Sequence, residues 1–236
     1  MTNIFTKRGQ KAKESANKGN VDLQKVYIRL KENEEVRVRV LGVEDYVEYE
    51  AVGDFNLGIY TQPSLLPLGE DDAFAEAKAI ADELGEDHEL APFQRLYNKK
   101  RYVFAFADID TGEVRVWDAT KGQAKQIIAK IENYEEDLGE VAFRFSRTGT
   151  KTETVYSLDP ILRLKGNDQE KFDKFDEVEV QDELFNSVII PRTYEKQVEA
   201  LKAAGFPVEE YFDVVVEDKG EGEAEGSEEP NPEKDF

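Results

Sequence analysis

The chain has 236 residues, with 52 Asp and Glu against 31 Lys and Arg, one His, no Cys and a formal net charge of −21. That length suits one larger domain or one domain with extensions, and the lack of Cys excludes a disulfide framework, a thiol nucleophile and a Cys-ligated zinc. His88 alone cannot build a His-rich metal site, and it leaves a single candidate base for any Ser-His-Asp triad.

Residues 1–25 hold six Lys and Arg against Glu14 and Asp22 and are rich in Gly, Asn, Ser and Ala, which predicts a flexible basic arm of net charge +4. It lacks the apolar stretch of a secretory signal, and no run in the chain approaches the roughly 20 apolar residues that span a bilayer. The expectation is a soluble cytoplasmic protein without a membrane partner. Residues 26–216 form the predicted core domain, at net −18. Within it, residues 36–41 alternate with period two, placing Val36, Val38 and Val40 on one face of a strand and Arg37 and Arg39 on the other. Residues 43–49 continue as a second extended piece, and 53–69, punctuated by Gly and Pro, read as a long loop. Asp71 or Asp72 caps a helix over 73–84, with Phe74, Ala77, Ile80, Ala81 and Leu84 on its apolar stripe and Gly85 as its stop.

Residues 101–109 and 114–118 are strand-like and joined by Asp110, Thr111 and Gly112, a hairpin signal. Thr120 caps a helix to about Asn133 with Ile127, Ile128 and Ile131 inward. Residues 141–147 put Val141, Phe143 and Phe145 on one face, and Thr148 and Gly149 turn the chain into 152–158, a second hairpin. A charged, aromatic-spotted connector covers 166–190; Thr193 then caps a short helix that Gly205 ends. Residues 217–236, with nine acids against two lysines, carry net −7 and no apolar residue larger than Ala before Phe236, so a disordered acidic tail is expected. A strand pair, a hairpin, a helix and a second hairpin fit a five-stranded Greek-key barrel of the oligonucleotide-binding (OB) kind, mainly β with added helices. The alternative is an open α+β sheet with helices on one side.

Two stretches oppose the overall charge: 93–125 and 144–165 each carry net +3. In the first hairpin, Tyr102, Phe104 and Phe106 share one face, opposite Arg101, Val103, Ala105, Ala107 and Ile109. A narrow barrel interior prefers the small and branched residues, which would turn the aromatics outward beside Arg115 and Trp117; the opposite register is also open. Outward rings interleaved with cations suit single-stranded nucleic acid, whose bases stack at about 1–3 kcal/mol each while Lys and Arg follow the phosphates. Arg37, Arg39 and Arg144 extend that lining, with Lys99, Lys100, Arg101 and Arg147 at its flanks.

The order VYIRL, VRVRVL, FQRLYNKKRYVFAFADI, GEVRVWDATKGQAKQI and FRFSRTG resembles the phage single-stranded DNA-binding proteins, the helix-destabilising proteins of T-even phages and their relatives. The resemblance covers roughly residues 26–165. It implies an OB barrel, Tyr102 as a stacking residue, a groove lined by Lys99, Lys100, Arg101 and Arg115, and work in DNA replication, recombination and repair. The T-even proteins carry a Cys and His zinc subdomain where this chain has NLGIYTQPSLLPLG and an acidic helix, so no metal or other cofactor is expected and the helix takes over the structural work. The basic arm implies self-association along DNA. Many such proteins end in a flexible acidic segment, some with a terminal Phe; here Asp235 and Phe236 are the expected contacts to replication and recombination proteins, while the tail competes with DNA for the groove.

No catalytic residue is expected. Asp108, Asp110, Gly112 and Glu113 resemble the start of a calcium loop but lack the later ligands, and a turn explains them. A metal-dependent nuclease needs carboxylates that nothing in the sequence brings together. The stronger alternative is an acidic interaction protein that mimics DNA. A continuous groove of exposed rings and cations favours DNA binding; buried rings with scattered cations favour the mimic.

Overall fold

The computed structural model describes residues 22–212. The arm up to residue 21 and the tail at 217–236, with Asp235 and Phe236, lie outside the described residues. Seven antiparallel strands form one sheet: β1 (Glu35–Arg39), β2 (Tyr46–Asp54), β3 (Ile59–Pro63), β4 (Lys99–Asp108), β5 (Glu113–Thr120), β6 (Ala142–Thr148) and β7 (Val155–Ile161). The α-helices are α1 (Leu23–Val26), α2 (Ala73–Leu84), α3 (Lys121–Glu132), α4 (Asp168–Asp173), α5 (Asp182–Val188), α6 (Tyr194–Ala203) and α7 (Val208–Tyr211).

β4 is the hub. β5 runs along one edge, while β2 and β1 share the other: Tyr46 to Ala51 pair with Phe104 to Lys99, and Val38 and Arg39 with Asp108 and Ala107. β6 pairs with β1, β7 with β6 and β3 with β2. Among the described residues no pairing joins β5 to β7, so the sheet is open where a barrel would close. The β5 edge instead receives the segment after α1, where the Ile28 amide donates to the Val116 carbonyl at 2.7 Å.

The hairpin turn forms because Asp108 Oδ1 accepts from the amides of Asp110 (2.9 Å) and Thr111 (3.0 Å) while Gly112 adopts φ +76°. The calcium-loop look is therefore a turn. α3 begins with a capping box, Thr120 and Gln123 satisfying each other's amides. Its Ala124, Ile127 and Ile131 pack on Phe104, Phe106, Trp117, Val38 and Phe143 as the main core. The other face of β4 is buried too, with Val103, Ala105 and Val116 under Phe185 and Val188 of α5. Helices thus cover both faces, which corrects the one-sided sheet.

The expected loop at 53–69 contains β3, which folds back on β2 through a register shift between Val52 and Asp54. A Cβ on Gly53 would lie 2.7 Å from the Thr61 backbone nitrogen, so only glycine permits that approach. Asp72 is the α2 cap, accepting from the Phe74 and Ala75 amides (3.1 Å each) and from Ser64 Oγ and the Leu65 amide (2.9 Å each). α2 packs on α6 and the following segment through Phe74, Ala77, Ala81, Val198, Leu201 and Phe206. Ile80 is only half-buried and Leu84 is exposed, so its apolar stripe is narrower than expected.

Candidate nucleic-acid interface

The hairpin rings point inward. Phe104 is 1% exposed and Trp117 2%, with centroids 5.5 Å apart, and Trp117 also meets Phe145 and Tyr156 at 4.8 Å each. This corrects the outward placement of Phe104, Phe106 and Trp117. The space between the sheet and α3 is wide enough for large rings, while the small side chains of β4 face α5, where a helix must approach closely. Tyr102, at the end of this aromatic row, is half-buried and donates from its hydroxyl to Glu48 Oε2 at 2.5 Å.

The arginines are tethers. Arg37 forks onto Asp110 and onto Asp168 (Nη1 to Oδ2, 2.5 Å). Hydrogen bonds from Arg37 hold both carboxyls below the usual carboxylate range, and Arg37 itself is pushed up. Arg39 is buried, lies 4.3 Å over the Phe172 ring and donates to the Phe172 carbonyl (2.9 Å) and Asp176 Oδ1 (2.7 Å). Arg101 donates to Asp118 at 3.0 and 3.2 Å, a carboxylate that also accepts from the Tyr49 hydroxyl at 3.1 Å. Arg115 divides its donors among Asp108 Oδ2 (2.8 Å) and the carbonyls of Lys25 (2.9 Å) and Tyr27 (2.8 Å), fastening the N-terminal segment to β5. Arg147 is buried and donates to the Leu30 carbonyl at 2.7 Å. Arg144 is exposed, with Nε 3.1 Å from Glu35.

Asp168 and Asp176 both come from the connector 166–190, which holds eight acids against two lysines. It is docked by Phe172, Phe175, Phe185 and Val188, all buried. The expected continuous groove through Arg37, Arg39, Arg101, Arg115 and Trp117 is therefore not assembled; a negatively charged segment lies across the arginine face.

One basic region stays open. Lys99 and Lys100 are exposed at the start of β4. Arg101 pairs with Thr120 across the hairpin, which brings Lys121 and Lys125 of α3 to the same end. Lys100 Nζ meets Glu48 at 2.6 Å, and the contact raises the lysine and lowers the carboxyl. Lys99 Nζ lies 4.8 Å over the Tyr97 ring and donates to the Gly53 carbonyl at 3.2 Å, with no carboxylate partner among the described residues. Arg144 sits at the far end of the sheet, since β1 reaches β4 only at Ala107 and Asp108.

Three residues at the open end escaped the sequence reading. Phe55 is 68% exposed, Tyr97 is 52% exposed, and Arg95 Nε meets Asp54 Oδ2 at 3.3 Å, joining the two segments that carry the rings. The available signal was an aromatic set among turn-forming and polar residues, Gly53, Asp54 and Asn56 around Phe55 and Asn98 and Lys99 after Tyr97. His88 Nδ1 accepts from the Leu90 amide at 3.2 Å within a loop. Among the described residues no three His, Asp or Glu side chains converge to hold a metal ion, and no helix is long and apolar enough to cross a membrane. The chain matches no known family model and no curated protein.

Proposed function

We propose that the protein binds single-stranded DNA without strong sequence preference, as a non-enzymatic partner of replication, recombination and repair, and that the lysine end of β4 is its contact surface. The observation that carries this reading is the clustering of exposed Lys99, Lys100, Lys121 and Lys125 at one end of a hairpin in a chain of net charge −21. A basic end on an acidic body steers a polyanion to one place and repels it elsewhere.

The strand connectivity supports the same reading. β1 and β2 act as halves of one bent strand that flanks β4, followed by β5, α3, and β6 paired back to β1 with β7 outside it. That is the order of the five strands and the intervening helix in an OB barrel, with residues 55–98 as an insertion between its first two strands. The net −7 tail competes for the lysines until DNA displaces it, then offers Asp235 and Phe236 to partner proteins, while the basic arm contacts a neighbouring copy on the strand.

The test is fluorescence anisotropy of a labelled oligo-dT titrated with the full chain and with a chain ending at 216, at rising salt. Trp117 is buried, so its quenching is a poor reporter. Four phosphate contacts give a log–log salt slope of about −3, and removal of the tail tightens binding at low salt. Absence of saturable, salt-sensitive binding by either chain refutes the reading. The acidic-interaction reading is favoured by one observation, the burial of Phe104 and Trp117 with Arg37, Arg39, Arg101 and Arg115 all engaged by carboxylates. It predicts that the protein competes with DNA for a basic host protein and binds no oligonucleotide.

A further inference from the structure

We infer that Phe55 and Tyr97, rather than the aromatics of the hairpin, are the base-stacking contacts of the protein. The inference rests on the single-stranded DNA reading above and names the side chains that would give it affinity beyond charge. Stacking needs a ring whose face is open to solvent and a cation near enough to hold the adjoining phosphate. Phe104, Phe106 and Trp117 fail the first condition, and Tyr102 is half-buried with its hydroxyl on Glu48. Phe55 and Tyr97 are the large aromatics with most of their surface free among the described residues.

Their placement meets the second condition. Phe55 begins the turn that joins β2 to β3, directly after Asp54, and Tyr97 lies just before β4. Arg95 reaches Asp54, and Lys99 reaches both the Gly53 carbonyl and the Tyr97 ring, so two cations tie the segment that carries Tyr97 to the residues just before Phe55. The geometry is held from below: the Asp54 side chain caps the turn through the Asn56 amide (2.9 Å), and Asn98 Nδ2 bridges Glu50 (2.8 Å) and Ser64 (3.2 Å). Exposed rings fixed on short, hydrogen-bonded turns lose little entropy when a base lands on them. Lys99 makes no salt bridge among the described residues, which leaves its charge available to a phosphate.

Anisotropy of labelled oligo-dT with the full chain, Phe55→Ala, Tyr97→Ala, Tyr97→Phe and Lys99→Ala tests this. Each ring deletion is expected to weaken binding roughly tenfold with the salt slope unchanged, Tyr97→Phe to bind like the parent, and Lys99→Ala to lower the slope by about 0.7. All three positions are exposed, and matching thermal midpoints confirm that the fold is intact. If the parent chain binds and both ring deletions bind equally well, the stacking assignment is wrong while the DNA reading stands. If the parent and a chain ending at 216 both fail to bind, the DNA reading itself falls and the assignment with it.

Discussion

The arginine face and the lysine end of the same sheet use positive charge in opposite ways. On the face, Arg37, Arg39 and Arg101 each engage a carboxylate, while Arg115, opposite Phe106 on the other face, engages Asp108; Arg39 and Arg115 also donate to backbone carbonyls, joining the connector and the N-terminal segment to the strands. At the end, Lys99 and Lys100 are exposed, and Lys100 makes a single exposed ion pair, with Glu48. The planar guanidinium offers several directed donors and tolerates partial burial, whereas an ammonium is a hydrated point charge. In this protein Arg37, Arg39, Arg101 and Arg115 fasten the fold, whereas Lys99 and Lys100 stay exposed. A count of basic residues along the chain merges the two roles.

The largest effects should come from the buried rings. Trp117→Ala or Phe104→Ala should cost about 3–5 kcal/mol in urea denaturation, whereas Tyr97→Ala should stay within about 0.5 kcal/mol; equal effects would erase the contrast between core and surface rings. Next, Arg115→Ala leaves the buried Asp108 carboxylate without its cation and should cost about 3 kcal/mol, while Lys100→Ala should leave the denaturation midpoint in place.

A third effect is alkaline. Burial, then the nearby Asp118 charge, pushes the Tyr27 hydroxyl up from 10.0 to about 12. Because the folded value is the higher one, this stability is complete below pH 10 and is lost as pH rises from about 10 to about 12, on the order of 2 kcal/mol. Tyr27→Phe should flatten that limb of a pH-dependent melting curve. The smallest effect is acidic. Arg37 depresses Asp110 and Asp168, so their contribution is present above the ordinary carboxylate range and fades as pH falls below it. Arg37→Ala should weaken that acid dependence, and an unchanged curve would mean the fork adds nothing.

Local chemistry was the legible part of the sequence. Thr120 and Thr193 cap helices as expected, and the hairpin turns at Asp110 to Gly112. What stayed hidden depends on long-range pairing. Alternation defines two faces of β4 without saying which is inner, and here both are buried. The apolar run from Val103 to Ala107 carried that message, since a strand covered on both sides has no need of polar alternation. β3 was concealed by Gly58 and Pro63, yet a five-residue strand needs little more than a neighbour to pair with. The connector read only as charged and aromatic-spotted, and its docking by Phe172, Phe175, Phe185 and Val188 was not legible because these anchors are a minority among charges. The neutralisation of Arg37 and Arg39 is invisible in one dimension: Asp168 lies 131 residues from Arg37 and Asp176 lies 137 from Arg39.

The central claim is a location: DNA lies on the lysine end with Phe55 and Tyr97 and avoids the arginine face. Ultraviolet cross-linking of the full chain to oligo-dT, with the adducts mapped by mass spectrometry, tests it directly. The account predicts adducts in peptides holding 53–57 and 95–102. Adducts concentrated at Trp117 or within 168–188, or a complete absence of adducts, would contradict it.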